Sequence, residues 1–357
     1  MKPDNVLIFG GTGFLGRKLV SALLQTKRYR LILPYRGATI PAEWLLEVQK
    51  NANLEPVAFS GDFLPWILGQ DPTKSGNLLL AISLIGKREG EPSQIFESNL
   101  GYVGSLITLF GSLKAKNPQI ITVYFGSIAE YKKFGELSLY ACLKREARKR
   151  LEESGVCDLI VTHSILDDNK EKIAADLKPV LPDIEKSSYL LDRVVLSTLS
   201  SSFLCRAFIC FIEHYLSHVN VKSGSELVIL EQEQSLRQFL TKIFDRKIHP
   251  EPKSHDMEIR YLDYLTEVVN EKLASNNTLR IRMLTFIELA RMNDPVERER
   301  KNHYLHFGRV SDLMKMGNIR NVLFSRSDLI CLSMENRYLI YPTQSPFLTG
   351  DANGHGE

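Results

Sequence analysis

Short apolar runs alternate, through the first half of the chain, with longer segments whose apolar residues recur at helical spacing. The runs are Val6-Leu7-Ile8-Phe9, Tyr29 to Arg36, Leu54 to Phe59, Asn77 to Ser83, Gln119 to Phe125 and Asp158 to Thr162. They are apolar at successive rather than alternate positions, as in strands covered on both faces. Helical patterns follow the first run directly and cover about Gln94 to Leu113 and Leu137 to Ser154. This alternation predicts right-handed β-α-β crossovers, a doubly wound parallel α/β sheet and a ligand cleft at the carboxyl ends of its strands. Beyond residue 165 the pattern is less regular. Leu190 to His218 reads helical, Glu226 to Leu230 reads as a strand and Ser235 to Phe244 as a helix. Tyr261 to Leu273 and Leu279 to Met292 read as amphipathic helices. Asp294-Pro295-Val296-Glu297 carries the start signals of another: a capping aspartate, proline at the first helical position and a glutamate to close the box. The glycine-bearing tail after Pro346 reads as disordered.

The join between the first strand and first helix carries the sharpest chemistry. Gly10-Gly11-Thr12-Gly13-Phe14-Leu15-Gly16 sits between them. Strand, glycine turn and helix in that order build a pyrophosphate pocket, because the helix N-terminal N–H groups and the positive end of its dipole point at the ligand. Gly10 and Gly13 allow the tight turn and close backbone approach, and Gly16 lets helix pack on strand. A glycine triplet alone recurs by chance, and a structural turn without ligand remains its alternative reading.

Composition narrows the function classes. At 44% hydrophobic and 24% charged residues the chain has ordinary globular composition. A formal net charge of +3, with basic residues interleaved with acids, gives no case for nucleic acid. Cys142, Cys157, Cys205, Cys210 and Cys331 form no Cys-x-x-Cys pair and no zinc spacing, so they read as reduced thiols of a cytoplasmic protein. The nearest approach to a membrane segment, Val194 to Ile212, is interrupted by Ser200, Ser201, Ser202 and Arg206, and reads as a buried helix rather than an integral span. His303-x-x-His306 lacks a completing carboxylate or cysteine cluster, so no metal site is expected.

Ser127, Tyr140 and Lys144 are the candidate catalytic residues. Ser127 follows the fifth strand, at the edge where ligands bind. Tyr140 and Lys144 are four apart and share one helix face. A phenol titrates near ~10 in water, and an ammonium one turn away favours its ionised form, so such a tyrosine can act as acid or base near neutral pH. A Tyr-x-x-x-Lys pair also describes a solvated helix face, but this is the only such pair in the chain.

The glycine wording, the run Tyr124-Phe125-Gly126-Ser127-Ile128-Ala129-Glu130-Tyr131 and the Ser127-to-Tyr140 separation resemble the short-chain dehydrogenase/reductase superfamily, especially its extended, epimerase/dehydratase-like branch. The resemblance is good over about residues 5–165 and loose over 165–245. It implies a Rossmann-type fold binding a nicotinamide dinucleotide. Ser127 then polarises the substrate oxygen, Tyr140 is the acid/base, and Lys144 binds the nicotinamide ribose and lowers the tyrosine's pKa. Gly10, Thr12, Gly13, Phe14, Leu15 and Gly16 would hold the cofactor. Ala81, Ile82 and Ser83 fall where the family's fourth strand passes it. Asp62-Phe63 resembles the family's adenine-binding pair, with an ordinary turn aspartate as the alternative. Arg36 ends the second strand, and no Asp or Glu lies between Arg30 and Gly37, which favours NADP over NAD.

The chain departs from the family at two places. Asn99 is the candidate for its helix asparagine, but Gly101 and Gly104 do not fit the usual spacing. Thr162-His163-Ser164-Ile165 stands where an Arg-Pro-Gly run is usual. That segment shapes the nicotinamide pocket, and its change makes nucleotide sugars less expected. His163 reads as a loop histidine near the active edge.

The expected organisation is a dinucleotide-binding domain over 1–165 and a smaller substrate lobe over 166–246, interleaved with the core. A mainly helical C-terminal extension over 247–345 and a disordered tail over 346–357 complete it. The leading function is an NADP(H)-dependent oxidoreductase interconverting a carbonyl and a secondary alcohol on a small organic substrate. An epimerase or dehydratase using its cofactor transiently is one alternative, and a non-catalytic cofactor-binding scaffold another. By resemblance, the protein can form a homodimer through the helices near 94–113 and 138–154.

Overall fold

The structure is a computed structural model and describes residues 4–36, 44, 50–59, 78–88, 90–127, 130, 139–166, 170–218, 223–250, 253–275, 277–292, 321–325, 328–334 and 337–343. The first half alternates strand and helix: β1 (Asp4–Phe9), α1 (Phe14–Gln25), β2 (Tyr29–Arg36), β3 (Leu54–Phe59), β4 (Leu78–Ser83), α2 (Pro92–Phe96), a π-helical turn (Glu97–Gly101), α3 (Val103–Lys116), β5 (Ile121–Phe125), α4 (Leu139–Ser154) and β6 (Leu159–His163). The second half adds β7 (Ile165–Leu166), α5 (Lys170–Leu177), α6 (Leu181–Ile184), α7 (Ser188–Arg193), β8 (Val195–Leu199), α8 (Ser201–His218), β9 (Ser225–Ile229), β10 (Gln232–Ser235) and α9 (Leu236–Phe244). Then come α10 (His255–Lys272), α11 (Asn277–Met292), β11 (Asn321–Ser325), β12 (Leu329–Met334) and β13 (Arg337–Pro342).

Ten strands form one sheet in the order β11-β12-β13-β9-β6-β5-β4-β1-β2-β3. From β3 to β13 every neighbouring pair is parallel, and β12 and β11 add an antiparallel edge. The strand order reverses between β1 and β4, the topological switch point at which a doubly wound sheet opens a cleft. The resemblance implied this Rossmann-type α/β fold.

Period-two alternation divides each central strand between two cores. Val6 and Ile8 of β1, Leu80 and Ile82 of β4, and Val123 and Phe125 of β5 pack with Leu19, Val20 and Leu23 of α1 and with Phe203 to Ile212 of α8. Leu7, Phe9, Ala81, Tyr124 and Ile160 point to the other face, against Val103, Leu106 and Phe110 of α3 and Leu143, Ala147 and Leu151 of α4. A separate helical core is built from α5 to α7 and α9 to α11 around Leu190, Leu240, Leu262, Leu265 and Met283.

The second half differs from its sequence pattern at three points. The stretch expected to be helical from Leu190 to His218 contains β8, which joins β7 and β10 in a small second sheet before α8 begins. Val194 closes α7 and the serines at 200–202 open α8, so the break that argued against a membrane span is a strand-to-helix turn. No helix among the described residues is long and apolar enough to cross a membrane. The C-terminal extension, expected to be mainly helical, carries α10 and α11 and also three strands that complete the main sheet. β13 lies parallel to β9, so strands more than a hundred residues apart share a ladder that local pattern does not reveal. The helix start at Asp294, the pair His303 and His306, and the tail 346–357 lie outside the described residues.

Ile340 of β13 is wholly buried in the same core as Val6 and Ile8. Ile340→Ala is therefore expected to lower the unfolding free energy by about 2–5 kcal/mol. Urea denaturation checks this, and a loss below about 0.5 kcal/mol would mean that β13 is not part of the cooperative sheet.

Candidate active site

Because β1, β2, β4, β5 and β6 run parallel, their carboxyl ends share one edge. Gly10, Arg36, Leu84 to Gly86, Ser127 and Ser164 therefore all lie there. The backbone at Gly10 turns with φ 77°, and Gly13 N–H donates to Gly10 O at 3.0 Å. Gly13 caps α1 without any side-chain bond, and no acidic residue occupies the first helical turn. The N–H groups that open α1 are thus left for an anion. A Cβ at Gly16 would overlap Gly10 O and stand 2.7 Å from Gly11 Cα, so only glycine lets α1 approach the loop this closely. Gly13 and Phe14 are exposed, Thr12 and Leu15 half-buried.

Gly10 also packs on the segment leaving β4. A Cβ there would lie 2.9 Å from Leu84 C and 3.0 Å from Ile85 N, while Leu84 N–H donates to Phe9 O at 2.9 Å. Ala81 and Ile82, further back in β4, are wholly enclosed in the sheet. Beyond β4 the chain continues beside the glycine loop through half-buried Ile85 and exposed Gly86, two residues that did not stand out in the sequence. The available signal was their place just beyond the strand.

Lys144 reaches from α4 into this junction. Its side chain is 3% exposed, and its Nζ donates to Ile85 O at 3.2 Å, Phe125 O at 3.2 Å and Tyr124 Oη at 3.0 Å. The ammonium thus ties the ends of β4 and β5 together. Burial lowers its pKa from the usual lysine range, and the carboxylate of Glu130 opposes that shift. Burial holds Tyr124 well above an ordinary phenol, so it receives the lysine's proton bond as a neutral group. Tyr102 Oη, buried beside Ser83 Oγ at 3.4 Å, donates to Ile85 O at 3.1 Å. Tyr140 stands half-buried one turn before Lys144, and its charge would be felt by both Tyr102 and Tyr124. Tyr124 was read as part of an apolar strand, and nothing local marks it as the lysine's acceptor.

Ser127 is buried at the end of β5, two residues beyond a carbonyl that holds Lys144. Its N–H donates to Glu130 Oε1 at 2.8 Å, and its carbonyl accepts from Glu130 N at 3.0 Å. Asn99 lies in the π-helical turn, a locally widened, under-wound feature frequent at functional sites. Its Nδ2 donates to Lys87 O at 2.6 Å and Ile95 O at 2.7 Å, and its buried Oδ1 accepts no hydrogen bond from the described residues. Asn99 Oδ1 and Lys144 Nζ stand 3.2 and 3.1 Å from the point where a Cβ at Gly86 would be, so the two are neighbours.

The backbone of Arg36 ends β2 opposite Phe59. Asp62 and Phe63 lie outside the described residues. Among the described residues no group of three or more His, Cys, Asp or Glu could hold a metal ion.

The chain is similar in structure to a nucleoside-diphosphate-sugar epimerase from Staphylococcus aureus, with TM-score 0.52 at 14% identity over 85% of this chain and 98% of that one. The two share one fold. A dTDP-glucose 4,6-dehydratase from Bacillus anthracis in complex with NAD matches at 16% identity and TM-score 0.48, covering 82% of this chain and 100% of that one. A UDP-glucuronic acid 4-epimerase from Bacillus cereus in complex with NAD matches at 12% identity and TM-score 0.48, covering 74% and 99%. No family model and no curated protein matches the sequence.

His163, at the end of β6, sits at the same edge. Its Nδ1 donates to Ser164 O at 2.9 Å, since a carbonyl can only accept, which leaves Nε2 as an acceptor. Burial, with a smaller contribution from the Lys144 charge, lowers its pKa to about 4. Between about pH 4 and the free-histidine value near ~6.5, the unfolded chain binds a proton that the folded chain refuses, so stability falls as pH falls through that window. Up to about 3 kcal/mol is lost this way. His163→Gln is expected to lose correspondingly less stability between neutral pH and about pH 4 in urea titrations. Identical acid sensitivity in the two proteins would contradict the desolvated, neutral imidazole.

Proposed function

We propose that the protein is a nicotinamide-dinucleotide-dependent enzyme of the short-chain dehydrogenase/reductase type. In this reading it moves a hydride and a proton between a carbonyl and a secondary alcohol. One observation carries the reading: the glycine loop, the Ile85 carbonyl and Lys144 form a continuous junction, with Ser127 and Tyr140 on the elements that bound it. The residues suit the cofactor. The uncapped start of α1 fits a diphosphate, and the missing Cβ atoms at Gly10 and Gly16 let the loop pack against the Leu84–Ile85 backbone and α1 against the loop. When bound, the nicotinamide ring supplies the hydride acceptor or donor.

The chain's own residues do the rest. Ser127 Oγ holds the substrate oxygen beside α4. Tyr140 takes the proton from an alcohol, or gives one to a carbonyl, at that same oxygen. Lys144 keeps a positive charge beneath the phenol and so eases its ionisation. Lys144 already satisfies three protein acceptors, so a bond to a ribose hydroxyl would exchange for one of them, most simply that to Tyr124. Asn99 Oδ1 offers a further acceptor beside the ammonium for passing protons onward.

The epimerase or dehydratase cycle, in which oxidation and reduction of the substrate cancel, is the favoured form, because the protein of shared fold is a nucleoside-diphosphate-sugar epimerase. Net carbonyl reduction with NADP(H) is the second reading. It rests on Arg36 at the carboxyl end of β2, which suits a 2′-phosphate, and on Thr162-His163-Ser164, which stands where the resembled family carries an Arg-Pro-Gly run.

Tyr140→Phe is expected to cut turnover by about 10²–10⁴-fold while leaving coenzyme affinity within about threefold. Nucleotide sugars and simple carbonyl compounds are assayed with reduced-nicotinamide absorbance and product analysis together. Product without net coenzyme consumption supports the epimerase or dehydratase form, and stoichiometric consumption the reductase form. Full turnover by Tyr140→Phe would overturn the assignment of the acid/base.

A further inference from the structure

Beneath Ser127 lies a buried charge cluster that the proposed chemistry does not use. Glu130 has a side chain only 1% exposed. Its carboxylate folds back over Gly126, where a Cβ would stand 2.8 Å from Oε1 and 2.9 Å from Oε2. Oε1 accepts from Ser127 N, while Oε2 accepts no hydrogen bond from the described residues and faces Arg148 at 3.6 Å. Arg145 Nε of α4 donates to the Glu130 carbonyl at 2.9 Å. Arg148 is held from the far side: it meets Glu226 of β9 at 2.8 Å and Glu152 at 2.7 Å. Glu226 in turn accepts from Thr162 Oγ1 at 2.5 Å and pairs with Arg337 of β13 at 3.0 Å. Lys144, Glu130, Arg148, Glu226 and Arg337 therefore alternate in sign from the candidate active site to the last strand.

We propose that Glu130 is a positioning residue: its carboxylate fixes the Ser127 backbone and is the counter-charge that keeps the buried Lys144 protonated. The inference rests on the reading of Ser127 and Lys144 as active-site residues. Lys144 is a point charge enclosed by neutral acceptors, namely two carbonyls and the phenol of Tyr124, with Tyr102, Tyr140, Asn99 and His163 as its further polar neighbours. The Glu130 carboxylate lies over Gly126, next to the Phe125 carbonyl that accepts from Lys144 Nζ, and among the described residues it is the anion that opposes burial in setting the lysine's protonation. Glu130 itself faces Lys144, Arg148 and the like charge of Glu226, and its own pKa is raised by burial against the pull of both cations. A neutral glutamine could keep the bond to Ser127 N through its amide oxygen, but it could not balance the ammonium.

Full-length protein labelled with ¹³C-lysine tests this directly. The Cε resonance of Lys144 is identified by its loss in Lys144→Arg and followed through a pH titration. Glu130→Gln is expected to lower the Lys144 midpoint by at least about one unit, a tenfold change in its acid constant. Glu130→Asp, which keeps the charge, is expected to restore most of the shift. A Lys144 midpoint unchanged in Glu130→Gln, even with a lower melting temperature, would overturn the proposal and leave Glu130 a packing residue. If Glu130→Gln does not fold, the wild-type protein still decides. The Lys144 Cε resonance and the buried carboxyl band in infrared difference spectra are expected to respond in the same pH range, and a Lys144 resonance that shows no step where the carboxyl band titrates would overturn the proposal. NAD and NADP binding to the wild type, measured beside these titrations, tests the active-site reading separately. A shifted lysine without coenzyme binding removes the cofactor site and leaves the charge coupling intact.

Discussion

The ammonium of Lys144 is the constraint on which this structure turns. A buried cation is costly unless its donors are satisfied and its charge is opposed. Lys144 meets both conditions by drawing two parallel strands and a helix to one point: Ile85 O beyond β4, Phe125 O and Tyr124 Oη on β5, and its own place on α4. The Ile85 segment is pressed in turn against Gly10, so the lysine and the glycine loop are two contacts from one another. Loss of the lysine's anchor would loosen the edge at which strand order reverses and a ligand would enter.

Much of the fold was legible because parallel strands are apolar on both faces and the helices between them are strongly periodic. Val6 to Phe9, Leu78 to Ser83 and Ile121 to Phe125 fall within a residue or two of their expected bounds. The misses have physical causes. β8 is five residues set between two helices, too short for its period to stand out from theirs. β11 to β13 went unread inside an extension expected to be mainly helical, because their pairing is with each other and with β9, and that information is non-local.

The candidate site was legible where chemistry demands a residue type at a fixed spacing. Gly10, Gly13 and Gly16, and the one-turn step from Tyr140 to Lys144, are local patterns. Tyr124, Glu130 and Arg148 were missed for the opposite reason. A tyrosine in an apolar strand looks like core, and a glutamate after a serine looks like a solvated turn. Only the folded arrangement shows Glu130 enclosed and Arg148 spanning from it to Glu226. The last strand is then more than an addition to the sheet, because Arg337 completes the neutralisation of Glu226. The C-terminal segment, which sequence left without a role, contributes charge balance to the layer beneath Ser127.

In the proposed function the glycine loop, the Ile85 segment and the Lys144 anchor make one dinucleotide cleft. Amide hydrogen exchange with and without NAD or NADP tests this most directly. Joint slowing at Gly13 to Leu19, at Leu84 to Lys87 and around Ser127 is expected when either coenzyme is added. Slowing confined to the helical core around Leu262, or none at any coenzyme concentration, would contradict it.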